Sequence, residues 1–242
     1  MKVVYEPAGK AREYSELAVN LYNGCSHGCV YCYAPNCLKK SIESFGNVSE
    51  RNNILSKLNR DAFDMMKSKD DRQILLCFTC DPYQHLENRL KITSKAIDIL
   101  IKFNLRFTIL TKGGLRSIPD MIKYKDYNKA SYGVTLYTLN DNARKLYEPN
   151  AASIDDRITG LKTAKDLGIK TWVSVEPVIN PNETLYMIEE ISDLVDEFKV
   201  GKINNYPKIE NNINWKKFKG EVIILLNKLK KDYYIKKDLM KF

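Results

Sequence analysis

The stretch that decides the fold and chemistry of this chain is Asn23-Gly24-Cys25-Ser26-His27-Gly28-Cys29-Val30-Tyr31-Cys32-Tyr33-Ala34-Pro35. It places three cysteines, Cys25, Cys29 and Cys32, in one short loop. Thiolates hold iron-sulfur clusters, and a cubane of four irons ordinarily takes four of them. Three ligands in one loop therefore leave one iron open to bind a substrate or a cofactor.

Two other interpretations of the cysteines are compatible with the sequence. Cys37 follows five residues after Cys32, so four thiolates could instead form a structural, tetrahedral zinc site. The even count of six cysteines would also permit a disulfide framework. The amino terminus lacks the apolar core of a secretory signal. We therefore expect a cytoplasmic protein, in which disulfides are rare and clustered cysteines more often bind metal or do chemistry.

The length, composition and charge favour one α/β domain with an anionic partner. The chain has 242 residues, 44% of them hydrophobic, and a formal net charge of +9. No apolar run approaches the roughly eighteen residues that span a membrane, so we predict no membrane contact. The charge makes DNA or RNA a plausible partner.

The basic carboxyl terminus admits two interpretations. Trp215, Phe218, Tyr233 and Tyr234 lie among its lysines, so this segment could bind phosphates and stack bases. It could equally be an amphipathic helix with a solvated basic face. We predict a domain over residues 1–205 and a basic helical extension over residues 206–242, packed on the same domain.

Short β-rich segments alternate with helical periodicity after the cysteine loop, which is typical of repeated βα units. Six units are too few to close an eight-stranded barrel, so we predict an open, partial (βα)6 barrel of the TIM type, with ligands at the carboxyl ends of the strands. Strands are predicted near residues 17–23, 73–79, 105–111, 131–137, 170–176 and 198–203. Helices are predicted near residues 52–66, 93–103, 118–124, 154–167, 184–197 and 215–230.

Beyond the loop, the chain resembles the radical S-adenosylmethionine (SAM) superfamily, and within it the branch of spore photoproduct lyase and DNA repair photolyase-like proteins. The resemblance covers about residues 7–205. The matching pieces are Glu13-Tyr14-Ser15 with Asn20, the loop from Cys25 to Pro35, Thr79-Cys80-Asp81-Pro82-Tyr83-Gln84, Leu110-Thr111-Lys112, Val134-Thr135-Leu136, Glu148 with Arg157, Val175-Glu176-Pro177-Val178-Ile179, and Val200-Gly201-Lys202-Ile203-Asn204.

The resemblance implies a specific reaction. A 4Fe-4S cluster on Cys25, Cys29 and Cys32 would bind SAM at its open iron and cleave the sulfonium C–S bond reductively. The resulting 5′-deoxyadenosyl radical would abstract hydrogen from a substrate, for which nucleic acid is the expected class, in DNA repair or modification. The electron would come from a donor such as flavodoxin or ferredoxin.

The resemblance also implies a set of cofactor-binding residues. Asp81 could instead start a turn before Pro82, and Arg157 could pair with a neighbouring carboxylate instead of SAM. The residues in positions that match the family's SAM site are Tyr31, Thr79, Asp81, Lys112, Thr135, Arg157, Glu176 and Asn204.

The remaining cysteines bear on the substrate. In spore photoproduct lyase, a cysteine three residues before the corresponding aspartate donates a hydrogen atom to the product radical; here that position is Phe78. Strand alternation predicts Cys80 on the same face as Phe78 and Cys77 on the opposite face. Cys80 is therefore our candidate catalytic residue, and Cys77 is expected to be structural. The alternative function is a metal-stabilised nucleic-acid-binding protein without radical chemistry.

Overall fold

One parallel sheet of seven strands organises the chain in this computed structural model, which describes residues 2–204 and 206–242. Two further short strands, β2 (Tyr22–Asn23) and β3 (Ser49–Glu50), pair antiparallel beside it. The strands of the large sheet are, in spatial order, β1 (Leu17–Val19), β4 (Ile74–Leu76), β5 (Phe107–Thr111), β6 (Ala130–Thr135), β7 (Lys170–Val178), β8 (Glu197–Lys202) and β9 (Asp232–Ile235).

Helices connect the strands and cover the sheet. Ser153 caps the helix that follows β6, because its side chain accepts a hydrogen bond from the Asp156 backbone N–H, as the sequence predicts. The helices are α1 (Ala34–Cys37), α2 (Ile42–Gly46), α3 (Ile54–Ser68), α4 (Glu87–Leu90), α5 (Ile92–Lys102), α6 (Ile118–Tyr124), α7 (Asp141–Tyr147), α8 (Ile154–Asp166), α9 (Pro181–Ile191), α10 (Pro207–Glu210), α11 (Trp215–Lys228) and α12 (Lys237–Met240).

The predicted α/β fold and its six strands are confirmed, with two differences. The strand predicted near residues 17–23 is divided, because β1 ends at Val19 and β2 pairs with β3 instead of joining the large sheet. The short β9, in the lysine-rich carboxyl terminus, adds a seventh parallel strand beside β8. β1 and β9 are the two edges of the sheet, which therefore stays an open, partial barrel.

The hydrophobic core lies mainly between the sheet and the helices. A smaller cluster, formed by Ala18, Leu75 and Trp172, lies apart from it with Phe78 packed against it. At Gly133 on β6, a Cβ atom would come within 2.2 Å of the Trp172 ring, so only glycine leaves room for this tryptophan. The close approach explains why a β-strand with buried residues throughout contains a glycine.

The carboxyl-terminal segment packs on the rest of the chain. α11 is an amphipathic helix that buries Trp215 and Phe218, so the prediction that these two rings stack bases is wrong. The Tyr234 hydroxyl donates to Glu13, which ties this segment to the amino terminus. Positions 1 and 205, which bound the predicted domain, lie outside the described residues. Among those described, no helix is long and apolar enough to cross a membrane.

Candidate active site

A cavity of about 440 Å³ opens at the carboxyl ends of the strands. Its volume lies in the range of roughly 300–1,000 Å³ that is usual for small-molecule sites. The three loop cysteines line it, and so do Phe78 and Cys77. The predicted residues in its wall are Tyr31, Thr79, Cys80, Asp81, Lys112, Thr135, Glu176 and Asn204.

The cysteine loop, residues 23–35, is held by backbone hydrogen bonds to other segments. The Cys25 N–H donates to the Phe45 carbonyl at 3.1 Å, and the Val30 N–H donates to the Tyr147 carbonyl at 3.0 Å. Gly24 has a φ of +77°, and a Cβ there would lie 2.2 Å from the Phe45 oxygen. The loop therefore requires glycine at this position for both backbone angle and space.

The donor set of the loop fits an iron-sulfur cluster. Burial raises the pKa of the Cys25 and Cys32 thiols and raises that of Cys29 to about 12, so these thiols would be protonated unless a metal displaces their protons. Among the described residues, no three His, Cys, Asp or Glu side chains converge closely enough to hold one metal ion. Three thiolates would instead each reach a different iron of a cluster.

A buried network of ion pairs contacts the cysteine loop. Glu148, fully buried, pairs with Arg157 at 2.5 Å and with Lys112 at 3.8 Å, and it accepts a hydrogen bond from the Tyr31 hydroxyl. Burial opposes ionisation of Glu148, but the charges of Arg157 and Lys112 outweigh it and lower the pKa of Glu148. Lys112 also lies 5.7 Å from the centre of the Tyr31 ring.

Arg157 lies outside the cavity wall, in contrast to the other predicted cofactor-binding residues. Its guanidinium donates to the backbone carbonyls of Ala152 and Thr135, both at 3.1 Å, and pairs with Glu148. The pairing with Glu148 is one of the alternatives that the sequence left open. Arg157 is therefore linked to the cavity wall by the Thr135 carbonyl and, through Glu148, by Tyr31 and Lys112.

Asp81 lines the cavity, but its carboxylate is occupied by protein hydrogen bonds. It accepts from the Thr111 hydroxyl at 2.6 Å, from the Lys112 N–H at 2.7 Å and from the Tyr83 N–H at 2.8 Å. The last of these closes the turn that the sequence offered as an alternative. Asp81 thus fixes β5 and the 81–83 turn against each other.

The loop after β4 forms a part of the cavity wall that is held by neutral hydrogen bonds instead of ion pairs. The Asn20 side-chain oxygen accepts hydrogen bonds from the backbone N–H groups of Phe78 and Thr79, at 2.8 and 2.7 Å. These bonds fix the backbone of the loop. The Thr79 hydroxyl is buried and has no hydrogen-bond partner. Since buried polar groups are normally satisfied, this hydroxyl is suited to a ligand in the cavity.

Cys77 and Cys80 differ from the sequence prediction. Strand alternation placed them on opposite faces, but β4 ends at Leu76, and both cysteines line the cavity. The two thiols shift each other's pKa, with Cys80 raising that of Cys77 and Cys77 lowering that of Cys80. A signal for this arrangement was available in the sequence, because two residues separate these cysteines, as they separate Cys29 and Cys32.

A second polar cluster, missed by the sequence analysis, surrounds Glu176. The Tyr14 hydroxyl donates to Glu176 at 2.7 Å and lies 2.8 Å from the Ser174 hydroxyl. Lys236 forms an ion pair with Glu176, and its amino group lies 3.4 Å from the centre of the Tyr14 ring. Burial lowers the pKa of Lys236, partly offset by Glu176. Lys236 follows β9, a strand that the sequence did not predict. No sequence pattern therefore indicated that Lys236 lies in this cluster.

Comparisons with known proteins show which proteins this chain is similar to. The sequence profile of the Radical SAM superfamily matches residues 19–195. An uncharacterized protein of Methanocaldococcus jannaschii is 28% identical over 243 residues, covering 92% of this chain and 89% of that protein. An uncharacterized protein of Acidianus two-tailed virus is 28% identical over 210 residues, covering 80% of this chain and 67% of that protein.

Solved structures share the fold at low sequence identity. A spore photoproduct lyase structure superposes with a TM-score of 0.74 at 13% identity, covering 95% of this chain and 78% of the lyase. SuiB of Streptococcus suis, solved with bound S-adenosylmethionine, gives a TM-score of 0.69 at 13% identity. That alignment covers 90% of this chain, which spans half the length of SuiB.

Proposed function

Because the chain belongs to the radical SAM superfamily, we propose that it binds a 4Fe-4S cluster through Cys25, Cys29 and Cys32 and cleaves SAM reductively. When bound, a reduced cluster with one iron free of protein ligands supplies the electron that cleaves SAM to methionine and a 5′-deoxyadenosyl radical. The observation that carries the proposal is that the three thiols face one cavity together with ligand-binding groups at the carboxyl ends of the parallel strands.

The remaining residues of the cavity bind and orient SAM in this proposal. Thr79 offers a buried hydroxyl without a protein partner, Tyr31 offers an aromatic ring, and Thr135 and Asn204 offer polar groups at strand ends. Lys112 keeps its positive charge beside Glu148 and Cys29, which raise its pKa against the effect of burial. Its ammonium suits the SAM carboxylate.

The four remaining predicted residues, Asp81, Arg157, Glu176 and Cys80, have roles other than direct binding of SAM. Asp81 and Arg157 position the strand ends, because their polar atoms already bond within the protein. Glu176, paired with Lys236 and Tyr14, lies in the cavity wall where it can contact a substrate. Cys80 supplies a hydrogen atom to the substrate radical.

We propose nucleic acid as the substrate and a flavodoxin- or ferredoxin-type protein as the electron donor. The support for an anionic substrate is the net charge of +9 together with the exposed lysines of α11, Lys216, Lys217 and Lys228. A spore photoproduct lyase variant has been solved with AdoMet and a dinucleoside spore photoproduct. The segment over residues 206–242 is proposed to be an extension of the same domain.

Anaerobic reconstitution tests the radical chemistry. The reconstituted protein, reduced with dithionite, is expected to convert SAM to 5′-deoxyadenosine, and Cys29→Ala is expected to give none. A fully loaded cluster that leaves SAM intact would refute the proposal. Anaerobically purified protein that holds one zinc and neither iron nor sulfide would instead support the alternative, a metal-stabilised nucleic-acid-binding protein.

The substrate is tested separately with deuterium-labelled DNA and RNA. Transfer of deuterium from one of them into 5′-deoxyadenosine is the expected result. A labelled peptide that transfers deuterium while DNA and RNA do not would overturn the nucleic-acid assignment.

A further inference from the structure

Cys77 and Cys80 form a pair of cysteines with two residues between them, of which the proposed function uses only Cys80. Both are buried, with 4% and 8% of their surfaces exposed, and both line the cavity. They are free thiols, and each shifts the pKa of the other: Cys80 raises that of Cys77, and Cys77 lowers that of Cys80. Two free thiols with two residues between them, on the wall of one cavity, are the arrangement of a redox-active Cys-X-X-Cys pair.

The backbone of this loop is fixed, and its two buried cysteines line the cavity. Asn20 accepts the N–H groups of Phe78 and Thr79, the two residues between the cysteines. The cavity gives small molecules access to both sulfurs. Both cysteines belong to the hydrophobic core, and both also line the cavity, so the pair is held in place by the protein and borders a space that a reagent can enter.

The surroundings make the two thiols unequal. Burial raises the pKa of Cys77. Burial acts in the same direction on Cys80, but the hydrogen bonds from the Cys77 thiol and the Tyr22 backbone, with the charge of Arg51, outweigh it and lower the pKa of Cys80. Cys80 is therefore the better thiolate, and Cys77 is the partner that resolves its bonds.

We propose that Cys77 and Cys80 are a redox-active dithiol in the cavity wall, which exchanges with low-molecular-weight disulfides and which only in its reduced form supplies the hydrogen atom of the reaction. In oxidation, Cys80 attacks one sulfur of the small disulfide and releases a thiolate. Cys77 then attacks the Cys80 sulfur and releases the second thiolate. One Cys77–Cys80 bond forms, the small disulfide's S–S bond breaks, and the two cysteine protons pass to the released thiolates.

The hydrogen-atom role rests on the proposed function; the dithiol exchange does not. In that step the Cys80 S–H bond breaks homolytically, a C–H bond forms on the carbon radical, and the unpaired electron stays on the Cys80 sulfur. A disulfide has no S–H bond to donate. The redox state of the pair therefore decides whether the cavity contains its hydrogen donor.

The exchange is tested without the cluster, in a variant whose other cysteines, Cys25, Cys29, Cys32 and Cys37, are serine. Oxidised glutathione is expected to remove both remaining thiols together, with an intramolecular Cys77–Cys80 link in the peptide map and recovery by dithiothreitol. Adding Cys77→Ser is expected to stop the reaction at a glutathione adduct on Cys80. Two thiols that stay alkylatable, or separate adducts on each, would overturn the proposal.

The same exchange is measured in the cluster-loaded wild-type protein, in case the serine variant does not fold. Peptide mapping after alkylation under denaturing conditions follows the two thiols, and the same intramolecular link is expected. Its absence from the holoprotein would overturn the proposal.

The hydrogen-atom role is tested in D2O, where thiol hydrogens exchange with solvent. With SAM and dithionite but no substrate, the 5′-deoxyadenosine formed is expected to carry one deuterium at carbon. The deuterated fraction is expected to fall at least tenfold in Cys80→Ala and to stay at the wild-type value in Cys37→Ala. An unchanged fraction in Cys80→Ala would overturn this role. No 5′-deoxyadenosine in the wild type would refute the proposed function and this role, while the glutathione assay would still decide the dithiol.

Discussion

Two parts of the cavity wall each contain two cysteines separated by two residues, Cys29 with Cys32 and Cys77 with Cys80, in opposite surroundings. We call the first the cysteine-loop wall, residues 25–32 with Lys112, supported by the buried pair of Glu148 and Arg157; the second is the β4-loop wall, residues 77–80, supported by Asn20. Charged groups support the first, and neutral hydrogen bonds support the second. The spacing of two cysteines alone therefore does not determine their role, because the neighbouring residues decide whether they bind a metal or react with each other.

The largest expected difference between the walls is in iron binding. Cys25→Ala, Cys29→Ala and Cys32→Ala should each lose the cluster, because each removes one of only three ligands. Cys77→Ala should retain the iron and sulfide content of the wild type. Both are measured per chain after anaerobic reconstitution, with Cys37→Ala as the matched control. Loss of iron in Cys37→Ala would contradict a three-thiolate site, and loss in Cys77→Ala would erase the distinction between the walls.

Removing one charge from the cysteine-loop wall should cost the most stability. Arg157→Met leaves Glu148 buried with its main partner gone, and we expect a loss of about 3–5 kcal/mol in the free energy of unfolding. Lys217→Met, which removes an exposed ion pair with Glu221, should change it by less than about 1 kcal/mol. Urea denaturation of the metal-free proteins measures both. Equal effects of the two substitutions would show that the buried network does not hold this wall.

The charged wall should also respond to pH. The folded pKa of Glu148 is lower than in the unfolded chain, so the unfolded state binds the proton first as pH falls. Its contribution to stability is therefore complete above about pH 4.3, the unfolded value, and is lost as pH falls through the lower folded value. We expect the gap in unfolding free energy between the wild type and Glu148→Gln to narrow below that pH. A gap that stays constant from pH 7 to pH 3 would contradict this.

The smallest effect is expected on the β4-loop wall. Thr79→Val replaces a hydroxyl without a protein partner by a methyl group of similar size, so stability should change by less than about 1 kcal/mol. SAM affinity of the cluster-loaded protein should fall about tenfold, the effect of roughly 1.4 kcal/mol. Denaturation and equilibrium binding measure the two quantities. Unchanged affinity would remove Thr79 from the cofactor site.

The sequence was informative where residues close together in the chain form one pattern. The spacing of Cys25, Cys29 and Cys32 predicted one shared cluster site in a loop, and the βα periodicity predicted the α/β sheet. The sequence was less informative where tertiary packing determines which of several possible ion-pair partners a residue contacts. Arg157 had several carboxylates within reach in the sequence, and only the packing of α8 against the loop after α7 selects Glu148.

Two further features needed the structure because they join distant segments. Lys236 reaches Glu176 only because β9 pairs with β8, and no local pattern announces that pairing. The placement of Cys77 and Cys80 on one cavity wall depends on the end of β4 at Leu76, and element ends are the least certain part of a pattern-based prediction.

The central claim, that three thiolates hold the cluster and leave one iron to SAM, is tested most directly by electron paramagnetic resonance. The spectrum of the dithionite-reduced, reconstituted protein is recorded before and after adding saturating SAM. We predict that SAM changes the g values of the cluster signal, because it binds the iron that no cysteine occupies. A signal from a fully loaded cluster that is identical with and without SAM would contradict the claim.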